Sequence, residues 1–350
     1  MEIQFMKGNE AIAEAAVLCG CRFFFGYPIT PQNEIPEYLS KRLPEVGGVF
    51  IQAESEIASI NMVYGAAGAG ARVMTSSSSP GISLKMEGLS YIAGADLPCV
   101  IINIMRAGPG LGGLQPAQGD YFQATRGGGH GDFRSIVYSP TTVQEAADLT
   151  QLAFDKADEY RMPAIILGDA IIGQMMEPVV LTERAPVQTK SWATTGWKDK
   201  SRKRAVINSL HMDTRELEAL ILARMERYGK LAEKGTMYTE ANSNGCEVLV
   251  VAYGSVARIV RAVIEDFGDI LKAGLFCPLT LWPYPYNDLA RIAKGKKAVL
   301  CVEMSTGQMV EDVKLAVSGD APVHFFGRTG GVVPTEEEIH AEIIKIKAAL

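Results

Sequence analysis

The sequence holds no C-x-x-C pair, and its six cysteines (Cys19, Cys21, Cys99, Cys246, Cys277 and Cys301) are scattered. Cys19 and Cys21 are two residues apart, the wrong spacing for common iron–sulfur runs, so no cluster is expected on this chain. Cys99, Cys277 and Cys301 lie in or beside apolar runs, where a thiol acts as a small core residue. Histidine is scarce too: His130, His211, His324 and His340 have no zinc spacing, and no metal ligand is assigned. There is no long basic run and the net charge is −6, which argues against nucleic acid or an anionic membrane surface as the main partner. No apolar stretch reaches about 18 residues, so no transmembrane helix is expected. The start, Met1-Glu2-Ile3-Gln4, lacks a charged-then-apolar signal pattern. A cytoplasmic protein is predicted. No Gly-Lys-Ser/Thr sequence exists, which removes the P-loop.

What is present suits sizeable cores: 47% hydrophobic and 21% charged residues over 350 positions, enough for about two domains. In the first half, apolar strand-like runs at 23–27, 48–52, 71–75, 98–104, 136–138 and 164–167 alternate with helical patterns at 9–18, 34–43, 56–67, 84–92 and 143–160. That alternation predicts an α/β domain with a parallel sheet covered on both faces, residues 1–178. Residues 179–242 read as a linker with one long helix, 214–234, capped by Asp213 or Thr214. The linker includes a charge-rich patch at 198–204, read as a solvated face. Residues 243–350 read as a smaller α/β domain, with strands at 247–253, 275–277, 298–303 and 323–326, and helices at 256–267 and 335–349.

Several runs that follow strands carry candidate chemistry. Tyr27-Pro28-Ile29-Thr30-Pro31 places a hydroxyl between two prolines, each of which restrains the backbone around it. Glu56 sits in the first turn of a helix capped by Ser55. The helix dipole favours its ionised form and burial the neutral one. Such a carboxyl can share a proton with a ligand nitrogen. In that helix Ile57, Ile60, Val63 and Tyr64 are assigned to the core. Ser76-Ser77-Ser78-Ser79-Pro80-Gly81 reads as a tight loop of small hydroxyls. Arg106 can grip a carboxylate by two parallel hydrogen bonds, and the glycines at 108–113 allow a close-approaching loop. Taken alone, each has a plainer reading: a bend, a dipole-favoured acid, a polar turn, a surface ion pair. Gly65-Ala66-Ala67-Gly68-Ala69-Gly70 mimics a dinucleotide fingerprint but ends a helix instead of following a strand. Arg126 to Asp132 reads as a flexible loop. Together, a hydroxyl, a carboxyl and a guanidinium at one sheet edge would suit a 2-oxo acid.

In order, Tyr27-Pro28-Ile29-Thr30-Pro31, Glu54-Ser55-Glu56-Ile57-Ala58-Ser59, Ser79-Pro80-Gly81 and Arg106-Ala107-Gly108-Pro109 resemble the 2-oxoacid:ferredoxin oxidoreductases. The chain looks like the subunit with the thiamine diphosphate pyrimidine-binding domain. Pro278-Leu279-Thr280-Leu281-Trp282-Pro283-Tyr284-Pro285 looks like the family's transketolase C-terminal-type domain. The similarity covers nearly the whole chain and is strongest to the enzyme for branched-chain 2-oxo acids such as 2-oxoisovalerate (3-methyl-2-oxobutanoate). The 2-oxoglutarate enzyme's subunit and a non-catalytic assembly subunit remain as alternatives.

The resemblance implies that Glu56 is catalytic and holds the aminopyrimidine N1′ of the cofactor. It implies cofactor contacts from Tyr27, Pro28, Ile29, Ser79 and Gly81, and substrate contacts from Thr30 and Arg106. The family's Gly-Asp-Gly…Asn diphosphate and magnesium site has no match: Gly168-Asp169-Ala170 fails at its third position. A diphosphate-binding subunit would then supply that half. A gamma-type subunit and a ferredoxin-like subunit would complete a hetero-oligomer, with the iron–sulfur clusters on other chains. Ferredoxin would accept the electrons and coenzyme A the acyl group.

Overall fold

A computed structural model of the protein describes residues 3–184, 189–197, 200, 201 and 203–350. Lys198, Asp199 and Arg202 of the charge-rich patch lie outside the described residues. In the first half the strands are β1 (Ile3–Lys7), β2 (Phe23–Gly26), β3 (Val49–Gln52), β4 (Val73–Ser77), β5 (Cys99–Met105), β6 (Ile136–Tyr138), β7 (Pro163–Asp169) and β8 (Met176–Val180). The second half adds β9 (Tyr238–Ala241), β10 (Val248–Val251), β11 (Ala273–Pro278), β12 (Thr280–Trp282), β13 (Ala298–Glu303) and β14 (Val323–Gly327).

Seven strands form one sheet in the order β12-β6-β7-β5-β4-β2-β3. All its pairings are parallel except β12 on β6. Strands β5 and β7 are buried along their whole length, as expected for a parallel sheet covered on both faces. The second sheet runs β14-β13-β10-β11-β9, with β9 antiparallel at its edge. A short antiparallel ribbon, β1 with β8, closes a small apolar cluster of Met6, Ala11, Ala15, Val143, Ala147 and Val179.

The helices begin where short polar side chains satisfy free backbone N–H groups. Ser55, Thr142, Asp213 and Thr335 each accept such bonds. The helix Thr214–Lys234 packs on the first unit, with Arg224 and Arg227 both on Asp96 Oδ1 at 2.8 and 2.6 Å. Strand β9, from the same stretch of chain, completes the second sheet instead.

Ser79-Pro80-Gly81 is not a loop but the first turn of the helix Ser79–Gly94. Strand β4 runs on to Ser77, and Ser78 alone makes the junction. A proline in the first turn lacks only an N–H that has no helical partner, so it starts the helix well. Gly65 to Gly70 does end a helix, with Gly70 at φ +90°.

The two units are joined by buried polar contacts. Tyr121 donates to Asp312 at 2.6 Å, and Arg126 pairs with the same carboxylate at 3.0 Å. Ser255 donates to Asp169 at 2.6 Å, and Gln118 bonds both Tyr253 and Met304.

Strand β2 pairs with β3 on one side and β4 on the other, so the strand order reverses there. Open α/β sheets bind ligands outside the C-terminal strand ends at such a switch point. The segments leaving β2, β3, β4 and β5 at that edge carry Thr30, Glu56, Ser79 and Arg106.

Candidate active site

Arg106 directly follows β5 and is buried, at 7% exposure. Ser79 fixes its backbone: the Arg106 N–H donates to Ser79 Oγ at 3.1 Å, and that hydroxyl donates to Asp120 at 2.6 Å. The guanidinium reaches back across the switch point. Its Nη1 donates to the Thr30 carbonyl at 3.0 Å and its Nη2 to the Leu111 carbonyl at 3.2 Å. Its Nε is buried with no partner among the described residues. The surface ion pair that the sequence also allowed is not found: among the described residues no carboxylate pairs with it. A buried cation satisfied only by neutral acceptors is costly, and an incoming carboxylate relieves that cost.

Thr30 is exposed beside it. Its Oγ1 accepts from Asn33 at 3.4 Å. The turn is tied down from behind, where the Pro31 carbonyl accepts from Asn9 at 2.9 Å and from Gln174 at 3.1 Å. Tyr27 and Pro28 are exposed and Ile29 is half-buried.

Glu56 opens the helix Glu56–Gly68, where Ser55 Oγ accepts the Ala58 N–H at 3.1 Å. The buried face runs through Glu56, Ser59, Ile60, Val63 and Ala67. The expectation that Ile57 belongs to the core is wrong: it is 51% exposed. The apolar stripe is centred one residue earlier, so the position that turns inward is the carboxylate, which is 6% exposed. Among the described residues none donates a hydrogen bond to that carboxylate.

Gly81 lets two oxygens pack against the start of its helix: a Cβ there would collide with Ser77 Oγ and lie 2.6 Å from Glu56 Oε1, so both oxygens converge on the glycine. The Ser77 and Ser78 hydroxyls are buried without partners among the described residues. A carboxylate and two hydroxyls without partners among the described residues, gathered at one helix start, fit the donor and acceptor edge of an aminopyrimidine. Gly81→Ala is expected to destabilise the chain by about 1–3 kcal/mol through overpacking, read from chemical denaturation. Unchanged stability would contradict the close packing at Gly81.

The structure thus brings Thr30 and Arg106 into contact, and joins them to Glu56 through the start of the helix Ser79–Gly94. Sequence reasoning missed Asp120, Asn103 and Lys85. Asp120 accepts from Ser79 and from Asn103 at 2.9 Å. Burial pushes its carboxyl up, while those two bonds pull it back. Lys85 had a legible signal: it occupies the core spacing between Ile82 and Leu89, and is itself 1% exposed. Among the described residues no three His, Cys, Asp or Glu side chains gather as a metal site.

Residues 14–245 match the thiamine diphosphate-binding domain of the pyruvate flavodoxin/ferredoxin oxidoreductases. Residues 246–339 match core domain II of pyruvate:ferredoxin oxidoreductase. The chain belongs to this family. It is a 2-oxoacid:ferredoxin oxidoreductase subunit, and it carries the family's thiamine diphosphate-binding domain. It is 47% identical to the ketoisovalerate oxidoreductase subunit VorB of Methanothermobacter marburgensis, over 95% of this chain and 94% of that one. It is 33% identical to the 2-oxoglutarate synthase subunit KorA of Methanothermobacter thermautotrophicus, over 99% of each. Among solved structures it resembles the 2-oxoglutarate:ferredoxin oxidoreductase of Magnetococcus marinus, with TM-score 0.84 and 25% identity, over 99% of this chain and 65% of that one. A split-gene transketolase shares the fold at TM-score 0.57 and 13% identity, over 97% of each chain. No helix among the described residues is long and apolar enough to cross a membrane.

Proposed function

We propose that this oxidoreductase subunit grips the substrate carboxylate and holds the aminopyrimidine half of thiamine diphosphate. The reaction is the coenzyme A-dependent oxidative decarboxylation of a branched-chain 2-oxo acid, with 2-oxoisovalerate the leading substrate. The observation that carries this reading is Arg106: a buried guanidinium with no carboxylate partner among the described residues, touching Thr30 at the switch point. Its chemistry calls for an anion there. The choice of branched-chain acid rests on the 47% identity to a ketoisovalerate oxidoreductase subunit, against 33% to a 2-oxoglutarate synthase subunit.

Bound thiamine diphosphate supplies the nucleophilic carbon and the electron sink. The chain's own residues supply position and charge. Glu56 accepts a hydrogen bond from, or shares a proton with, the aminopyrimidine N1′. Gly81 lets Glu56 and Ser77 pack close together at the cofactor's edge, and Tyr27, Pro28, Ile29 and Ser79 line the ring's approach. Arg106 and the Thr30 hydroxyl orient the substrate carboxylate.

The diphosphate and magnesium ligands belong to a partner subunit in this reading, and the iron–sulfur clusters to further subunits of gamma and ferredoxin-like type. Ferredoxin takes the electrons and coenzyme A the acyl group. All six cysteines are free and buried, which fits a reducing compartment, and we place the complex in the cytoplasm.

The test is a viologen-reduction assay of the complex purified with its native partners, run across a panel of 2-oxo acids with coenzyme A. The highest kcat/KM is expected for 2-oxoisovalerate. A preference for 2-oxoglutarate would move the chain to the other branch of the family. No reduction with any 2-oxo acid would point to an assembly subunit.

A further inference from the structure

Lys85 has no role in the reading above. It lies in the middle of the helix Ser79–Gly94 and is 1% exposed. Its ammonium donates to Thr75 Oγ1 on β4 at 3.1 Å and to Ser59 Oγ on the neighbouring helix. Ser59 in turn donates to the Glu56 carbonyl at 2.9 Å. Both acceptors of the ammonium are neutral. Among the described residues it has no ion pair, and Glu56 is the one charged group that acts on it.

An ammonium buried among hydroxyls alone is expensive to keep charged. Burial pushes Lys85 down to about 7, and the Glu56 carboxylate opposes that shift. Glu56 is in the matching position: buried, with no hydrogen-bond donor among the described residues. Geometry brings the two side chains to the same place: Ser59 bonds both the Lys85 ammonium and the Glu56 backbone carbonyl, and Glu56 Oε1 lies against Gly81, one helical turn before Lys85. Attraction between charges is strong where water is excluded.

We propose that Lys85 is the internal counter-charge of Glu56, a positioning residue that holds the carboxylate's charge ready for the aminopyrimidine. It acts through Glu56 and Ser59 and touches neither substrate nor cofactor. The proposal rests on the role given to Glu56 above.

A double-mutant cycle on the assembled complex tests it. The variants are Lys85→Met, Glu56→Gln, the pair together, and Lys85→Arg as the conservative rescue. The readouts are the thermal midpoint without cofactor and the Kd for thiamine diphosphate by calorimetry. Lys85→Met is expected to weaken cofactor binding about tenfold, the scale of one pKa unit of interaction between two groups. Lys85→Arg should recover most of that loss. In the Glu56→Gln background the same Lys85→Met change should move Kd less than twofold, and lower the midpoint less than it does in the parent. Equal losses in both backgrounds would reduce Lys85 to a packing residue and overturn the proposal. If Lys85→Met fails to assemble, assembly of the double variant supports the proposal, and its failure overturns it. The two ideas fail separately. Full activity of Glu56→Gln sinks the role of Glu56 whatever the midpoints show. An inactive Glu56→Gln with additive midpoints sinks only Lys85.

Discussion

A complex carrying Glu56→Gln is expected to reduce viologen at less than about one-hundredth of the wild-type rate, with a lower thermal midpoint because the buried Lys85 ammonium loses its counter-charge. The loss is the usual scale for removing a group that moves or holds a proton in the reaction. Glutamine keeps the shape of the side chain, and no hydrogen bond to the carboxylate from a described residue is lost. The Ser55 cap that starts the helix is untouched. What changes is the charge, and with it the ability to hold a proton at N1′. The test is a steady-state rate beside a thermal midpoint for the same preparation. Near wild-type turnover would remove Glu56 from the mechanism.

Arg106→Met should act differently. Removing one partner of a buried, hydrogen-bonded charge pair costs about 2–5 kcal/mol, so kcat/KM for 2-oxoisovalerate should fall about thirtyfold or more. Most of the loss should appear in KM, because the guanidinium binds the carboxylate before the chemistry begins. Arg106→Lys should rescue poorly. A single ammonium cannot reach the Thr30 and Leu111 carbonyls and an incoming carboxylate with the same fork. Substrate titrations on the assembled enzyme decide the matter. An unchanged KM, together with an unchanged KM in Thr30→Ala, would favour a scaffold whose loops merely keep an inherited shape.

Much of this site was legible because its residues follow strands. Buried strands announce themselves as apolar runs, and the first polar residues after them fall at the sheet edge. That places Thr30, Glu56 and Arg106 without any knowledge of packing. What could not be read depends on contacts far apart in sequence. Asp120 meets Ser79 only because the chain after Arg106 folds back on itself, bridging to Pro116. The ribbon of β1 and β8 pairs residues some 170 positions apart, and β8 contains a proline that discourages a strand reading. Ile57 misled because a first-turn isoleucine at helical spacing looks like core, while the carboxylate before it faces inward. Lys85 sat in plain view at a core position, and the signal was its mismatch with that position.

Strand β12 lies within the second unit of the sequence yet pairs with β6 of the first sheet, Thr280 opposite Tyr138. The two units are therefore woven, not merely docked. A gene split between residues 245 and 246, where the two family models meet, would separate β6 from this neighbour. Ile136–Tyr138 would become a raw sheet edge, open to pairing with other chains. Expressed without the second unit, the first would lack the strand that covers β6.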